Sequence, residues 1–318
     1  MPDYTVIVTE PINHMGVKYL KEKNVKVVEL PPGSTVETLA RHINGADGII
    51  TRGSIKITRE LMASSPRLRV VGVHGIGCDH VDINAAKELG IIVCNTPDAL
   101  TVTVAEMAMA MTLTLLRNIV AADKAVRKGE WHRKYSDLIG DELAGKEVGI
   151  IGLGRIGEAT AMRMQAFDAS ISYWSRTRKP RKEKKYGYKW KELDALLMDS
   201  DIISLHIPST SETRHLIDKE KISKMKQGSY LINTARGKVI DQKALVNALE
   251  TGKIKAAALD VFEDEPLPRD SPLCGMDNVI LTPHLGASNL EGMQRMALQV
   301  AKGVLKSIKG EEPENRVA

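Results

Sequence analysis

Val148-Gly-Ile-Ile151 runs directly into Gly152-Leu-Gly154-Arg155-Ile156-Gly157, and the reading of this junction decides the fold. The apolar run reads as a buried strand, and the glycines open a helix. In such a strand–turn–helix the first glycine serves the tight turn, the second lets a pyrophosphate approach the backbone, and the third lets helix and strand pack closely. The helix N-terminus then offers unpaired N–H groups to phosphates. A further strand at Ile171–Trp174 supplies the rest of the setting that a dinucleotide site requires.

Working outward, the same alternation continues in both directions. Before the junction, β-branched runs at Thr5–Thr9, Val25–Glu29, Gly48–Thr51, Arg69–Val73 and Ile91–Cys94 alternate with helical patterns near Ile12–Glu22, Thr35–Ile43, Thr58–Ala63 and Ile83–Leu89. Thr101 to Lys128 reads as one long helix stopped by Gly129. From Lys146 onward, strands are expected at Glu147–Ile151, Ser170–Trp174, Ile202–Leu205, Ser229–Ile232, Ala256–Leu259 and Val279–Leu281, with a final helical stretch over Asn289–Lys309. Alternation of this kind predicts parallel sheets covered by helices, here two α/β domains.

Composition narrows the function classes. The 318 residues carry 43% hydrophobic and 27% charged side chains, which excludes wholesale disorder. MPDYTVIVTE lacks a basic region followed by an apolar core, so no signal peptide is expected. The apolar stretch Met107–Leu116 is half the ~20 residues that a membrane span needs. Cys78, Cys94 and Cys274 form no CxxC and no even framework, which predicts a reduced cytoplasmic protein with neither disulfide nor metal. The net charge of +5 is uneven: Arg176–Lys191 holds nine Lys/Arg against Glu183, a local +8 on a body of −3. One basic segment on a slightly acidic body argues against a nucleic-acid face. It points to a local anionic partner or to a solvated surface loop.

The end of the strand at Ile171–Trp174 bears on that choice. An NAD site usually has Asp or Glu there for the ribose hydroxyls, whereas this chain has Ser175-Arg176-Thr177-Arg178. Two guanidinium groups and two hydroxyls suit a 2′-phosphate, so NADP(H) is expected to be favoured, with NAD(H) possible.

Three further motifs stand at predicted strand ends: Asn233-Thr-Ala235-Arg236-Gly237, Asp260-Val-Phe-Glu-Asp-Glu265-Pro266 and Thr282-Pro-His284-Leu-Gly286. Open α/β sheets bind ligands at these ends. Arginine can clamp a carboxylate with two parallel bonds, histidine can move a proton near neutral pH, and a carboxylate bonded to the imidazole orients it and raises its pKa. Arg236, Glu265 and His284 are therefore the candidate catalytic residues. Taken singly, each also fits a surface ion pair, a turn acid or a packed core residue.

The set GLGRIG, NTARG, DVFEDEP and TPHLGAS, in this order and spacing, resembles the D-isomer-specific 2-hydroxyacid dehydrogenase family. The nearest branches are the phosphoglycerate dehydrogenases and the glyoxylate/hydroxypyruvate reductases. The resemblance covers essentially the whole chain. It implies a flavodoxin-like substrate domain, residues 1–97 plus 289–318, with a doubly wound NAD(P)-binding Rossmann domain, 98–288, inserted and the active site in the cleft. It also implies that Arg236 binds the substrate carboxylate while His284, paired with Glu265, is the acid/base. Cofactor contacts carry over to Gly152, Gly154, Arg155, Ile156, Gly157, His206, Ile207, Pro208, Ala235, Asp260 and Gly286. Substrate contacts are expected from His74 and Gly75, in a loop able to form an anion nest, and from Arg52 and Ser54. A homodimer through the cofactor domain, with an arm around Trp131, is a further family expectation. The chain ends at Ala318, so regulation through an added C-terminal domain is not expected. The rival reading is a dinucleotide-sensing corepressor with little turnover.

Overall fold

The computed structural model describes residues 3–318, which divide into two units: one runs to Leu100 and resumes with Ala287–Ala318, the other is Thr101–Gly286. In the first unit five parallel strands, β1 (Tyr4–Val8), β2 (Val25–Glu29), β3 (Gly48–Thr51), β4 (Val70–Val73) and β5 (Ile92–Cys94), lie in the order β2-β1-β3-β4-β5. That is the flavodoxin-like order. Helices α1 (His14–Glu22), α2 (Val36–His42), α3 (Arg59–Ala63) and α4 (Ile83–Glu88) connect them. Helix starts follow local chemistry: Asn13, Thr35, Thr58 and Asp82 each accept a backbone N–H two or three residues on. The C-terminal helix Leu290–Ile308 returns to this unit and buries Val300, Val304 and Ile308 completely. Each such side chain contributes about 1.5–3 kcal/mol.

The tail beyond that helix, weakly marked in the sequence, is pinned. Val317 N–H donates to Val93 O at 2.7 Å and Val93 N–H to Ala318 O at 3.0 Å. β5 is an edge strand, and the tail covers backbone groups that would otherwise invite a second chain.

The second unit holds seven parallel strands: β6 (Glu147–Ile151), β7 (Ser170–Trp174), β8 (Lys189–Trp190), β9 (Ile202–Leu205), β10 (Ser229–Asn233), β11 (Ile254–Leu259) and β12 (Val279–Leu281). Their order, β12-β11-β10-β9-β6-β7-β8, is the doubly wound Rossmann arrangement. The helices are α5 (Thr101–Leu116), α6 (Ile119–Arg127), α7 (Arg155–Gln165), α8 (Pro180–Tyr186), α9 (Leu193–Asp199), α10 (Lys219–Lys224) and α11 (Gln242–Glu250). Val148, Ile150 and Ile151 of β6 are wholly buried, as expected of a central parallel strand covered on both faces.

Two expectations need correction. The single helix predicted over Thr101–Lys128 is two helices, α5 and α6, bent by 57°. Asn118 turns left-handed at φ 51°, and Asp141 N–H donates to Leu116 O at 2.8 Å, taking the carbonyl that the helix ladder would use. The break thus combines a local stop, an asparagine in the left-handed region, with a distant segment that takes the helix's last carbonyl. The basic segment, for its part, is no plain surface loop. Residues 180–186 form α8, Lys182 pairs with Glu158, and Lys191 bridges Glu147 at 3.2 Å and Asp199 at 2.9 Å. Among the described residues no single helix is long and apolar enough to cross a membrane.

Candidate active site

Because the strands of the second unit are parallel, their C-terminal ends share one edge. Gly152, Ser175, His206, Thr234, Asp260 and Thr282 each begin a loop there. The strand order reverses between β6 and β9, and the glycine loop lies against the loop beginning at His206. A Cβ on Gly152 would stand 2.6 Å from His206 O, and its φ of +99° suits only glycine. A Cβ on Gly157 would meet Gly152 O at 2.0 Å, so helix and turn touch backbone to backbone. At Gly154, by contrast, nothing lies within 4 Å, and no side chain caps the start of α7. Two glycines closed by contact and one left open, before uncapped helical N–H groups, fit a dinucleotide pyrophosphate.

The four residues after β7 divide. Arg178 donates to Glu183 from Nε at 2.9 Å and Nη2 at 2.7 Å, and its guanidinium lies 5.6 Å from the Trp190 ring centre. Glu183 is held in turn by the Tyr173 hydroxyl at 2.8 Å. Ser175 Oγ donates to Thr177 O at 2.7 Å. Arg176 stays exposed and makes no hydrogen bond or ion pair among the described residues, although its charge reaches Glu212.

Three loops build the chemical centre. The NTARG loop is shaped by Asn233, fully buried at the end of β10: its Oδ1 accepts Ala235 N–H at 3.0 Å and its Nδ2 donates to Arg236 O at 2.9 Å. Half-buried Arg236 leaves this loop with Nη1 donating to Ala235 O at 2.7 Å. The next residue has to be glycine, because a Cβ at Gly237 would fall 1.8 Å from the carbonyl carbon of Phe262. The NTARG and DVFEDEP loops are therefore locked together. Within DVFEDEP, Glu265 accepts the Phe262 N–H at 3.0 Å through Oε1 and meets His284 Nδ1 at 2.8 Å through Oε2.

His284 is presented by a turn that Asp260 ties down. The Asp260 carboxylate, wholly buried, accepts the Thr282 hydroxyl at 2.5 Å and the N–H groups of Leu285 and Gly286 at 2.7 Å each. His284 itself sits at φ 53°, with its N–H on Asp260 O at 2.9 Å.

Electrostatics separates the candidate imidazoles. The hydrogen bond to Glu265 raises His284 above its ordinary pKa against burial; the Glu265 and Asp260 charges add to the rise and the Arg236 charge opposes it. Burial raises Glu265, but the His284 bond and charge, the Phe262 N–H and Arg236 outweigh it, leaving the carboxyl below the usual range. His206, bonded to Ser204 Oγ at 2.9 Å, is pushed down to about 4 by burial. Burial and then the Arg52 charge likewise take His74 down to about 4. A proton donor at neutral pH must hold its proton there. Of these three, only His284 is shifted toward doing so.

In the first unit the remaining candidates lie at the C-terminal ends of β3 and β4. Gly75 has open space around it, and its carbonyl is fixed by Thr96 N–H at 2.9 Å. The Arg52 side chain donates to Pro11 O at 2.9 Å. Glu10, which the motif reading overlooked, accepts Arg52 N–H at 3.0 Å, Ser54 N–H at 2.8 Å and the Ser54 hydroxyl. Asn233 was also missed. Its signal was present, since an Asn ending a strand commonly bonds the backbone two residues on.

Residues 109–286 match the family model described as D-isomer specific 2-hydroxyacid dehydrogenase, NAD binding domain. The chain is 44% identical over 315 residues to a glyoxylate reductase of Thermofilum pendens, covering 97% of this chain and 92% of that one. It is 42% identical over 313 residues to the D-3-phosphoglycerate dehydrogenase of Methanocaldococcus jannaschii, covering 98% of this chain but only 59% of that protein. The solved structure of an NADPH-dependent glyoxylate/hydroxypyruvate reductase from Sinorhizobium meliloti, in complex with NADP and malonate, is similar with a TM-score of 0.88 and 32% identity, over 99% of this chain and 97% of that one. The chain belongs to the D-isomer specific 2-hydroxyacid dehydrogenase family, as an oxidoreductase of 2-hydroxy acids that uses a nicotinamide dinucleotide.

Proposed function

We propose that this enzyme reduces a small, unphosphorylated 2-oxo acid of the glyoxylate or hydroxypyruvate type, with NADPH preferred over NADH. The observation that carries the chemistry is the His284–Glu265 pair at 2.8 Å, its imidazole shifted to hold a proton within reach of the Arg236 charge. The reduced nicotinamide, when bound, supplies hydride to the substrate carbonyl carbon. Arg236 holds the substrate carboxylate through its guanidinium, by two parallel N–H bonds. His284 gives its proton to the carbonyl oxygen as negative charge develops there, and Glu265 steadies the imidazolium before the transfer. In oxidation of the hydroxy acid, neutral His284 takes the same proton back. The glycine loop, the loop from His206 to Pro208, Ala235, Asp260 and Gly286 are assigned to the cofactor. The Gly75 backbone, His74 and Arg52 are assigned to the rest of the substrate. Ser54 already gives its N–H and hydroxyl to the Glu10 carboxylate, which favours a substrate without a phosphate on that side.

The cofactor preference rests on Arg176. No carboxylate ends β7, and with Arg178 engaged by Glu183 and the Ser175 hydroxyl by Thr177 O, Arg176 and the Thr177 hydroxyl remain as the 2′-phosphate contact. Initial rates with glyoxylate, hydroxypyruvate and 3-phosphohydroxypyruvate against NADH and NADPH test the whole reading. Arg176→Ala is expected to raise KM for NADPH by about 10–100-fold, the worth of one or two charge-assisted bonds of ~1.5–3 kcal/mol, and to leave KM for NADH nearly unchanged. Arg178→Ala should have the smaller effect. A wild-type preference for NADH, or for the phosphorylated acid, would refute the corresponding assignment.

The pH dependence follows from the charge state of His284. Reduction needs the protonated imidazole, so its rate falls as pH rises through the raised His284 pKa; oxidation rises through the same interval. Glu265→Gln removes the charge that raises it. The expected result is a reduction profile whose alkaline limb moves to lower pH, read from kcat between pH 5 and 10.

The same proposal includes a homodimer through the cofactor domain. Trp131, Tyr135, Ile139, Ile119 and Val126 are all exposed on α6 and the segment after it, an apolar grouping of the kind that marks an interaction surface.

A further inference from the structure

Glu265 does not hold its loop alone. Glu263, two residues earlier, is hydrogen-bonded to His215 Nε2, and Glu263 N–H reaches Gln242 Oε1 at 3.4 Å. His215 arrives by backbone geometry rather than by chance of rotamer. It sits left-handed at φ 49°, and its N–H donates to Lys238 O at 2.8 Å. Lys238 belongs to the short turn Gly237–Val239 that follows Arg236. Two residues on, Ile217 N–H donates to Val239 O at 3.0 Å and Asp241 N–H returns to Ile217 O at 3.0 Å, a parallel bridge between the two segments.

Three segments thereby close into a ring. Residues 215–217 are stitched to residues 237–241 by backbone bonds. Residues 237–241 meet 260–266 where Gly237 abuts Phe262 and Glu263. The ring is completed by one side-chain contact, His215 to Glu263. Arg236 adjoins one side of this ring, and Glu265, the partner of His284, lies on another.

We propose that His215 is a positioning residue for the reaction: its imidazole holds Glu263 and so fixes the backbone from which Glu265 reaches His284. The proposal rests on the reading of His284 as the proton donor. A purely stabilising pair between loops would lower thermal stability when broken and leave the chemistry of folded enzyme alone. A positioning pair has another signature, because a loosened Glu265 raises His284 less.

The test uses the full-length enzyme in the 2-oxo acid reductase assay, with kcat, both KM values and the pH profile read for each variant. His215→Ala is expected to lower kcat by about 10-fold, short of the ~10²-fold that a 1 Å misplacement can cost. It should also move the alkaline limb to lower pH by about 0.5 unit, in the direction of Glu265→Gln, as expected when a raising hydrogen bond weakens. KM for NADPH stays at the wild-type value. His215→Gln, whose amide can still donate to Glu263, restores both readings toward wild type. Glu263→Ala produces the same shift, and the double variant adds little to either single one, as for two members of one contact. A wild-type limb and kcat in any folded His215→Ala or Glu263→Ala variant overturns the proposal, whatever the melting temperature. His284→Ala serves as the reference: full turnover in that variant defeats the proton-donor reading itself, whereas its loss alongside an unchanged His215→Ala defeats only the positioning role.

Discussion

Replacing His284 by alanine lowers the turnover of 2-oxo acid reduction by ~10²–10⁴-fold, the usual contribution of a positioned proton donor, and leaves dinucleotide affinity intact. The separation follows from the geometry. The glycine loop and the start of α7 stand on β6, while His284 hangs from a turn after β12 tied by Asp260. Deleting the imidazole removes no bond that shapes that turn, because Asp260 grips the backbone of Leu285 and Gly286 and the hydroxyl of Thr282. The position is left-handed, φ 53°, which asparagine tolerates better than alanine. His284→Asn is therefore the companion variant. Its turnover should fall as far, with less loss of stability. Cofactor fluorescence titration together with steady-state kinetics checks both parts, and near wild-type turnover in either variant would remove His284 from the mechanism.

Arg236→Ala should lower kcat/KM for the 2-oxo acid by roughly 10²–10³-fold, which corresponds to about 3–4 kcal/mol, within the range for removing one partner of a buried charge pair. Arg236→Lys recovers the charge but not the planar fork, and should recover only part of the loss. A second readout separates this residue from Glu265. The Arg236 charge lowers the His284 pKa, so its removal moves the alkaline limb of reduction to higher pH, opposite in sign to Glu265→Gln. A limb that stays fixed in Arg236→Ala would show that the guanidinium does not face the imidazole in solution. Unchanged kcat/KM would take the carboxylate clamp away from it.

Much of this was legible beforehand, for a local reason in each case. The strand ends that carry Gly152, Asn233, Asp260 and Thr282 were predicted within a residue, because a buried parallel strand declares itself as a short apolar run. The pairing of His284 with Glu265 was predicted from motif order together with what each side chain can do. The occupied state of Arg178 was not: Glu183 was recognised only as the lone acid in a basic run, and Tyr173 as a strand residue, yet together they hold the guanidinium. Glu10 escaped notice altogether because its partners, Arg52 and Ser54, are more than forty positions away.

Alternating apolar runs, a spaced set of glycines and a handful of polar residues at strand ends thus determined the two α/β units, the dinucleotide loop and the candidate for proton donor. Those signals are written in neighbouring residues, through backbone dihedrals and burial, and can be read without knowing where the chain goes next. The tertiary structure alone decided that Asp141 closes the end of α5, which arginine after β7 is left unpaired among the described residues, that Asp260 spends its carboxylate on the His284 turn, and that His215 reaches Glu263. Each of these depends on which distant group fills a given hydrogen bond first, a choice made by packing and encoded in no local pattern.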